Sequence, residues 1–420
     1  MKENKNKKKV SEKRNGKAAK RNKKTPERAV NQELITKFIK VILVVMVILI
    51  LLFVAADRFG NITFSSVGDY FSGLASGAKK GEGYPYYFES MTPDNVIKIN
   101  SDLLVIDDDK TYVLDSTAKK LSENKHTYAV PVAESINGRA VLFDVGGTSY
   151  SVVSRTKLLY ENTLNSKIIT ASLGKDGSVA LGVRGESAMS RLLVYNRNQK
   201  VVYDWSCAKE NIISTAVSDN GKYAAISIIG AQNGELYSKV LVFDFDYSEP
   251  IAEYDYGERI VSKVRFLKGK KLVASGEKVL SFIKNEKDKE DVDLSLNTLS
   301  CIYTDSSNMT VAVFSKYGSS SVKILRGYSK NGKEMFSTEI NSNVRDVSCA
   351  DGYISVLTDR QLLSFNKRGK QVGSAEVSSD GISCYTNGSS TYVLTTGAIN
   401  KYRTFGKTEK ETTTVFAEDN

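Results

Sequence analysis

From Asn95 onward, short runs of Val, Ile, Leu, Tyr, Phe and Thr alternate with clusters of Gly, Asn, Asp and Ser, and no stretch keeps a helical period. Runs of that kind bounded by turn formers read as β-strands. Ile168–Val183 (IITASLGKDGSVALGV) and Ile212–Ile228 (IISTAVSDNGKYAAISI) each read as strand, turn, small-residue strand. Their turns, Lys175-Asp176-Gly177 and Asp219-Asn220-Gly221, supply the glycine that a tight hairpin needs for positive φ. A second hairpin follows in the same unit. It shows in Leu192 to Val202, in Lys323 to Lys333 and in Leu362 to Lys370, with a fainter copy over Tyr112 to Lys120. Two hairpins make a four-stranded sheet.

Units that start at Val96, Pro131, Ile168, Ile212, Ile260, Leu299, Val344 and Gly381 recur about every 41 residues. Four strands at that period predict an all-β fold, a β-propeller of eight blades, with seven blades as the alternative count. A large sandwich or two separate β-domains would not repeat eight similar units without a linker. The last unit, Gly381–Phe405, has room for only three strands. A closed ring leaves no open seam, so the fourth should come from Tyr84–Glu89, the one β-favouring run ahead of the first unit. Pro85 cannot donate to a ladder, which places that strand at a blade's outer edge.

Upstream, the pattern changes. Val41–Ala56 is an uncharged apolar run of 16 residues, extended to 19 by Phe38 and Ile39 if Lys40 snorkels. At 1.5 Å per residue this is about 28 Å, close to a hydrocarbon core of roughly 30 Å. Lys37, Lys40 and thirteen further basic residues precede it, and only Arg58 follows closely. The positive-inside rule then predicts a single-pass cell-membrane protein, N-terminus cytoplasmic and C-terminal domain extracytoplasmic. The competing reading is a cleaved signal peptide ending at Ala56, with a 40-residue leading region weighing against it.

Charge follows the same division. Residues 1–40 hold 15 Lys or Arg and four Glu, which accounts for the whole net charge of +11; residues 41–420 hold 44 of each sign. The body by its total charge points to no partner. The tail has almost nothing apolar to bury and no aromatic residue before Phe38, so base stacking is excluded and nucleic acid is not expected. Its readings are topology determinant with anionic-lipid contact, or docking site for a cytoplasmic protein. The expected organisation is a disordered basic tail (1–36), a spanning helix (37–56), a Gly/Ser-rich linker (57–83), the propeller (84–405) and a polar C-terminal tail (406–420).

Chemistry is sparse. Cys207, Cys301, Cys349 and Cys384 are far apart, and His126 is the sole histidine. A structural zinc site needs clustered thiolates and imidazoles, so no metal site is assigned. No G-x-S-x-G elbow occurs, and His126 sits in a turn-like, polar setting that reads as solvated. Quinoprotein propellers dock their blades with repeated Trp, and this chain has only Trp205. Asp107-Asp108-Asp109 lacks the Gly and Glu of a calcium loop and reads as a hairpin turn. Lys284–Asp293 reads as a solvated loop. Cys301, Cys349 and Cys384 end the first strands of consecutive units; buried small residues is the leading reading, a channel ligand or redox role the other. No catalytic residue and no cofactor are assigned.

Ser218-Asp219-Asn220-Gly221-Lys222-Tyr223-Ala224 resembles the S-x-D-G-K-x-x-A turn of WD-repeat-like and TolB-like propellers, without the Trp-Asp or Gly-His dipeptides of true WD repeats. Gly81-Glu82-Gly83-Tyr84-Pro85, behind a basic tail and one apolar run, resembles the entry of a bacterial family of single-pass membrane proteins carrying a domain of unknown function. The resemblance implies location and a propeller ectodomain, and brings no activity. The expected function is an envelope binding or scaffolding module, its loops holding a protein or envelope-polymer ligand. The alternatives are an envelope hydrolase with paired carboxylates and a transmembrane signal relay.

Overall fold

In the computed structural model the described residues are 39–47, 80–88, 93, 95–285, 287–305, 307–316 and 322–407. The apolar run read as a spanning helix lies mostly outside them. Its described part, 39–47, is α-helical and exposed throughout. Among the described residues no helix is long and apolar enough to cross a membrane. The basic tail, most of the linker and the C-terminal residues from 408 also lie outside them.

Residues 95–403 form eight consecutive antiparallel sheets, the blades of a propeller. The first, innermost strands are Asn95–Ile99, Pro131–Ile136, Ile168–Leu173, Asn211–Val217, Lys263–Phe266, Asn297–Thr304, Val344–Ala350 and Ser383–Asn387. These starts lie within three residues of those expected from the repeat, and the count is eight. Second strands such as Asp102–Ile106 and Leu272–Gly276 are buried along their whole length, because neighbouring blades cover both faces. Fourth strands have one wet face: in Val201–Cys207 only Tyr203 and Cys207 are buried.

That wet outer position explains one departure from expectation. The charged run Lys284–Asp293 is not a loop; it ends the strand Val279–Asn285 and supplies the fourth strand of blade 5, Asp288–Asp291. Opposite signs pair here, Lys284 with Glu290 across the hairpin at 2.7 Å and Lys289 with Asp291 along the outer strand at 3.1 Å. A solvated outer strand tolerates such residues as readily as a loop does.

The seam closes as expected. Tyr86–Tyr87 pairs antiparallel with Ala398–Arg403 as the fourth strand of blade 8, Tyr86 opposite Ile399. Tyr84, Tyr86 and Phe88 pack into one cluster with Val96, Leu103 and Tyr112 of blade 1 and Tyr392 and Ile399 of blade 8. The two glycines of the entry motif have separate reasons. A side chain on Gly81 would lie 2.3 Å from the Thr117 carbonyl oxygen, and Gly83 has φ of +97°. Their amides donate to Thr117, Gly81 to Oγ1 at 2.9 Å and Gly83 to the carbonyl at 3.0 Å. After blade 8, Gly406–Lys407 adds a fifth, parallel strand to blade 7.

Third and fourth strands are joined by a recurrent five-residue turn: Asp115–Lys119, Asn196–Lys200, Ser329–Lys333 and Asn366–Lys370. In each, the first residue's amide donates to the carbonyl of the fifth residue, and the fourth residue is left-handed: Ala118, Gln199, Gly332 and Gly369. Gln199 (φ +61°) carries a Cβ penalty that glycine avoids. Gln199→Gly should therefore raise unfolding free energy by about 0.5 kcal/mol in urea titration, less than the full penalty because glycine also frees the unfolded chain.

Candidate functional site

The first strands line a central channel, and Lys98, Glu134, Lys263 and Arg265 are its charged lining residues on those strands; Asp346 lies on the first strand of blade 7. This part of the channel has a volume of about 280 Å³. It opens into a mouth of about 370 Å³ where Lys98, Lys175 and Arg265 meet Asp219, Asp305 and Asp351. Lys263 of blade 5 and Glu134 of blade 2 pair at 2.8 Å. Lys98 Nζ donates to the Thr386 carbonyl at 2.8 Å, tying blade 1 to blade 8, and its burial lowers its pKa. Lys175 pairs with Asp219 at 2.7 Å beside the mouth.

Asp346 accepts backbone N–H bonds from Val347 and, across the blade interface, from Cys384, both at 2.8 Å. Burial outweighs those bonds and pushes its carboxyl up to about 6. A carboxyl raised in the folded state binds its proton more tightly than in the unfolded chain. Its contribution is most favourable below the unfolded value of about 4 and is lost as pH rises through 6. Asp346→Asn should remove this dependence. The stability difference, variant minus wild type, should rise by roughly 2 kcal/mol between pH 4 and pH 7 in paired urea titrations. A difference flat across that window would refute it.

The sulfur groups are not poised for chemistry. Cys207, Cys349 and Cys384 are buried, Cys301 is half-buried, and all four are free thiols. Burial pushes Cys207 and Cys301 up to about 11, and Cys349 and Cys384 well above the ordinary thiol value. They stay protonated at neutral pH, which makes them weak nucleophiles and weak metal ligands. Among the described residues no three His, Cys, Asp or Glu side chains converge as a metal site. His126 is not the solvated residue its neighbours imply: its ring stacks on Tyr128 at 5.1 Å, and Nδ1 accepts from the Tyr128 amide at 3.3 Å. Asp107-Asp108-Asp109 is the hairpin turn expected, with the Asp107 amide donating to the Lys110 carbonyl.

The turns separate into two faces. Turns joining first to second and third to fourth strands (odd turns) lie on one; the remainder (even turns) lie on the other. Among the described residues the odd turns carry sixteen Lys or Arg and seven Asp or Glu. The even turns carry five Lys or Arg and ten Asp or Glu. A neutral body is thus a charge-polarised ring.

The even face also bears the longest hairpin. Tyr223–Gln232 and Glu235–Asp244 are ten residues each and turn at Asn233-Gly234, both with positive φ. Leu236 near its tip is 54% exposed, and Tyr237 donates to Glu210 at 2.7 Å from the neighbouring turn. On the same face a groove of about 760 Å³ runs past Arg259, Lys278 and Leu296, the last 68% exposed.

Neither the channel charges nor the polarised faces were assigned from sequence. A lone charge within an apolar first strand, as in Ile97-Lys98-Ile99 or Val264-Arg265-Phe266, is the signal that could have found the former.

Comparison with solved structures agrees with this architecture. The C-terminal WD40 domain of Sif2 aligns with a TM-score of 0.53 at 12% identity, over 76% of this chain and 98% of that one. The Chaetomium thermophilum Sqt1 structure, solved bound to the N-terminus of ribosomal protein L10, aligns with a TM-score of 0.52 at 11% identity, over 77% and 100%. At such identities the likeness is one of fold alone. Comparison with curated protein sequences finds no match. The sequence profile of a family of unknown function matches residues 86–401, the ring from its closing strand to the last blade, and the chain accordingly belongs to that family, DUF5711.

Proposed function

We propose that this chain is a membrane-anchored, non-catalytic binding module of the cell envelope, which takes a protein or envelope-polymer ligand on its even face. The observation that carries it is the projecting hairpin with Leu236 beside the groove at Leu296. Exposed large apolar side chains rimmed by polar residues on a rigid ring suit recognition. Sqt1, of the same fold, was solved holding a peptide segment of another protein. The anchor rests on Val41–Ala56 and its basic flank. Binding rather than catalysis is favoured by thiols held protonated and by channel charges held in the pairs Lys263–Glu134 and Lys175–Asp219.

The test is site-specific photo-crosslinking of the full-length chain in its own envelope. A crosslinker at position 236 and one at 296 should capture the same species. Leu236→Asp should abolish capture from 296, while a probe at Lys157 on the odd face captures nothing in common. Unrelated species at 236 and 296 would remove the reading.

A further inference from the structure

We propose that the odd face is a docking surface for the anionic lipid headgroups of the bilayer from which the chain is anchored. The inference rests on the anchor reading above and adds an orientation to it. Two independent observations carry it.

The first is charge. Basic residues crowd the odd turns of blades 5, 6 and 7, where Lys268, Lys330, Lys333, Lys367, Arg368 and Lys370 are all exposed. Among the described residues none of these six side chains forms an ion pair. Turn geometry does not account for them. The recurrent turn fixes its first residue by hydrogen bonding and its fourth by φ, and nothing in it requires the lysine that ends all four copies. A basic residue close to an anionic bilayer contributes about 1 kcal/mol, within a screening length of roughly 10 Å.

The second is where the chain leaves the ring. Gly81 and Gly83 lie against Thr117, in the odd turn Asp115–Lys119 of blade 1. The described chain therefore joins the ring at the odd face. The face at which the described chain enters the ring is the basic one, and the acidic face with the projecting hairpin is left for the ligand. A bilayer, being flat, offers its charge to a whole ring of turns at once. A folded acidic protein would need matching concavity.

The experiment reconstitutes the full-length chain into vesicles of phosphatidylcholine, with or without about one-third phosphatidylglycerol, and reads lysine acylation by mass spectrometry. Flotation first establishes anchoring in both. Lys268, Lys330, Lys333 and Lys367 should react about three-fold more slowly on anionic than on neutral vesicles, with Lys209 and Lys278 of the even face unchanged. About 0.5 M salt should erase the difference. The triple variant Lys330→Glu, Lys333→Glu, Lys367→Glu alters exposed turn positions only, and should remove the protection remaining at Lys268. Equal reactivity on the two vesicles, with flotation intact, overturns the docking and leaves the anchor standing. Protection that appears on neutral vesicles only when polyphosphate is added assigns the face to a soluble polyanion and also overturns it. Failure to float on neutral vesicles overturns the anchor itself, and the docking with it.

Discussion

A chain that begins at Asp94 should melt about 6 °C below one that begins at Gly83, and should elute as aggregates where the longer one elutes as a monomer. The shorter chain lacks Tyr84, Tyr86 and Phe88, each half-buried between blades 1 and 8. At half burial each aromatic contributes on the order of 1–2 kcal/mol, so their loss costs roughly 4 kcal/mol before any backbone bond is counted. For a domain of this size that corresponds to about 6 °C. Aggregation has a separate cause. Without Tyr86–Tyr87 the third strand of blade 8, Ala398–Arg403, presents an unpaired edge to solvent. Differential scanning calorimetry and size-exclusion chromatography read the two effects. Equal melting would mean that the ring does not depend on this strand.

Arg155→Ala should cost about 3 kcal/mol, the next largest loss expected from a small change. Asp102 opens the second strand of blade 1, is 3% exposed and accepts from Arg155 Nε in the third–fourth turn of blade 2. Burial raises the Asp102 pKa even with the guanidinium in place. Without Arg155 the carboxylate retains only a long bond from Ser101 at 3.4 Å. A buried charge that loses its partner is more costly than the pair was favourable, so Asp102→Leu with Arg155→Leu should recover most of the loss. The sign with pH follows from the same group. Lowering pH protonates the orphaned Asp102, and the gap between Arg155→Ala and wild type should narrow. A gap that is constant from pH 8 to pH 4 would mean the arginine acts through packing instead.

Much of the ring is legible in the chain because a blade is local. Each strand pairs with its sequence neighbour through a short turn, so apolar runs and Gly-containing turns mark nearly every strand, from Ile168–Leu173 to Gln361–Asn366. The closing strand was readable as well, since a three-stranded last unit must borrow its fourth strand and only one aromatic run was on offer. Composition misleads at two places. Asp288–Asp291 looks like loop because an outer strand needs no apolar face. His126 looks solvated because the Tyr128 ring that covers it is not evident from the adjoining polar residues.

The candidate surfaces show the division most sharply. By itself the sequence determined a repeat of four strands, a borrowed closing strand and a body of zero net charge, and it favoured eight units over seven; all of these depend on local pattern or on sums along the chain. It did not determine where the charges stand in space. An antiparallel meander sends successive turns to opposite sides, so Lys268, Lys333 and Lys367 share a face while Glu277 and Asp359, close to them in sequence, lie on the other. Ring closure then brings turns from distant repeats side by side. A sum taken along the chain cancels what that geometry separates, and only the tertiary structure gives this neutral body one basic and one acidic face.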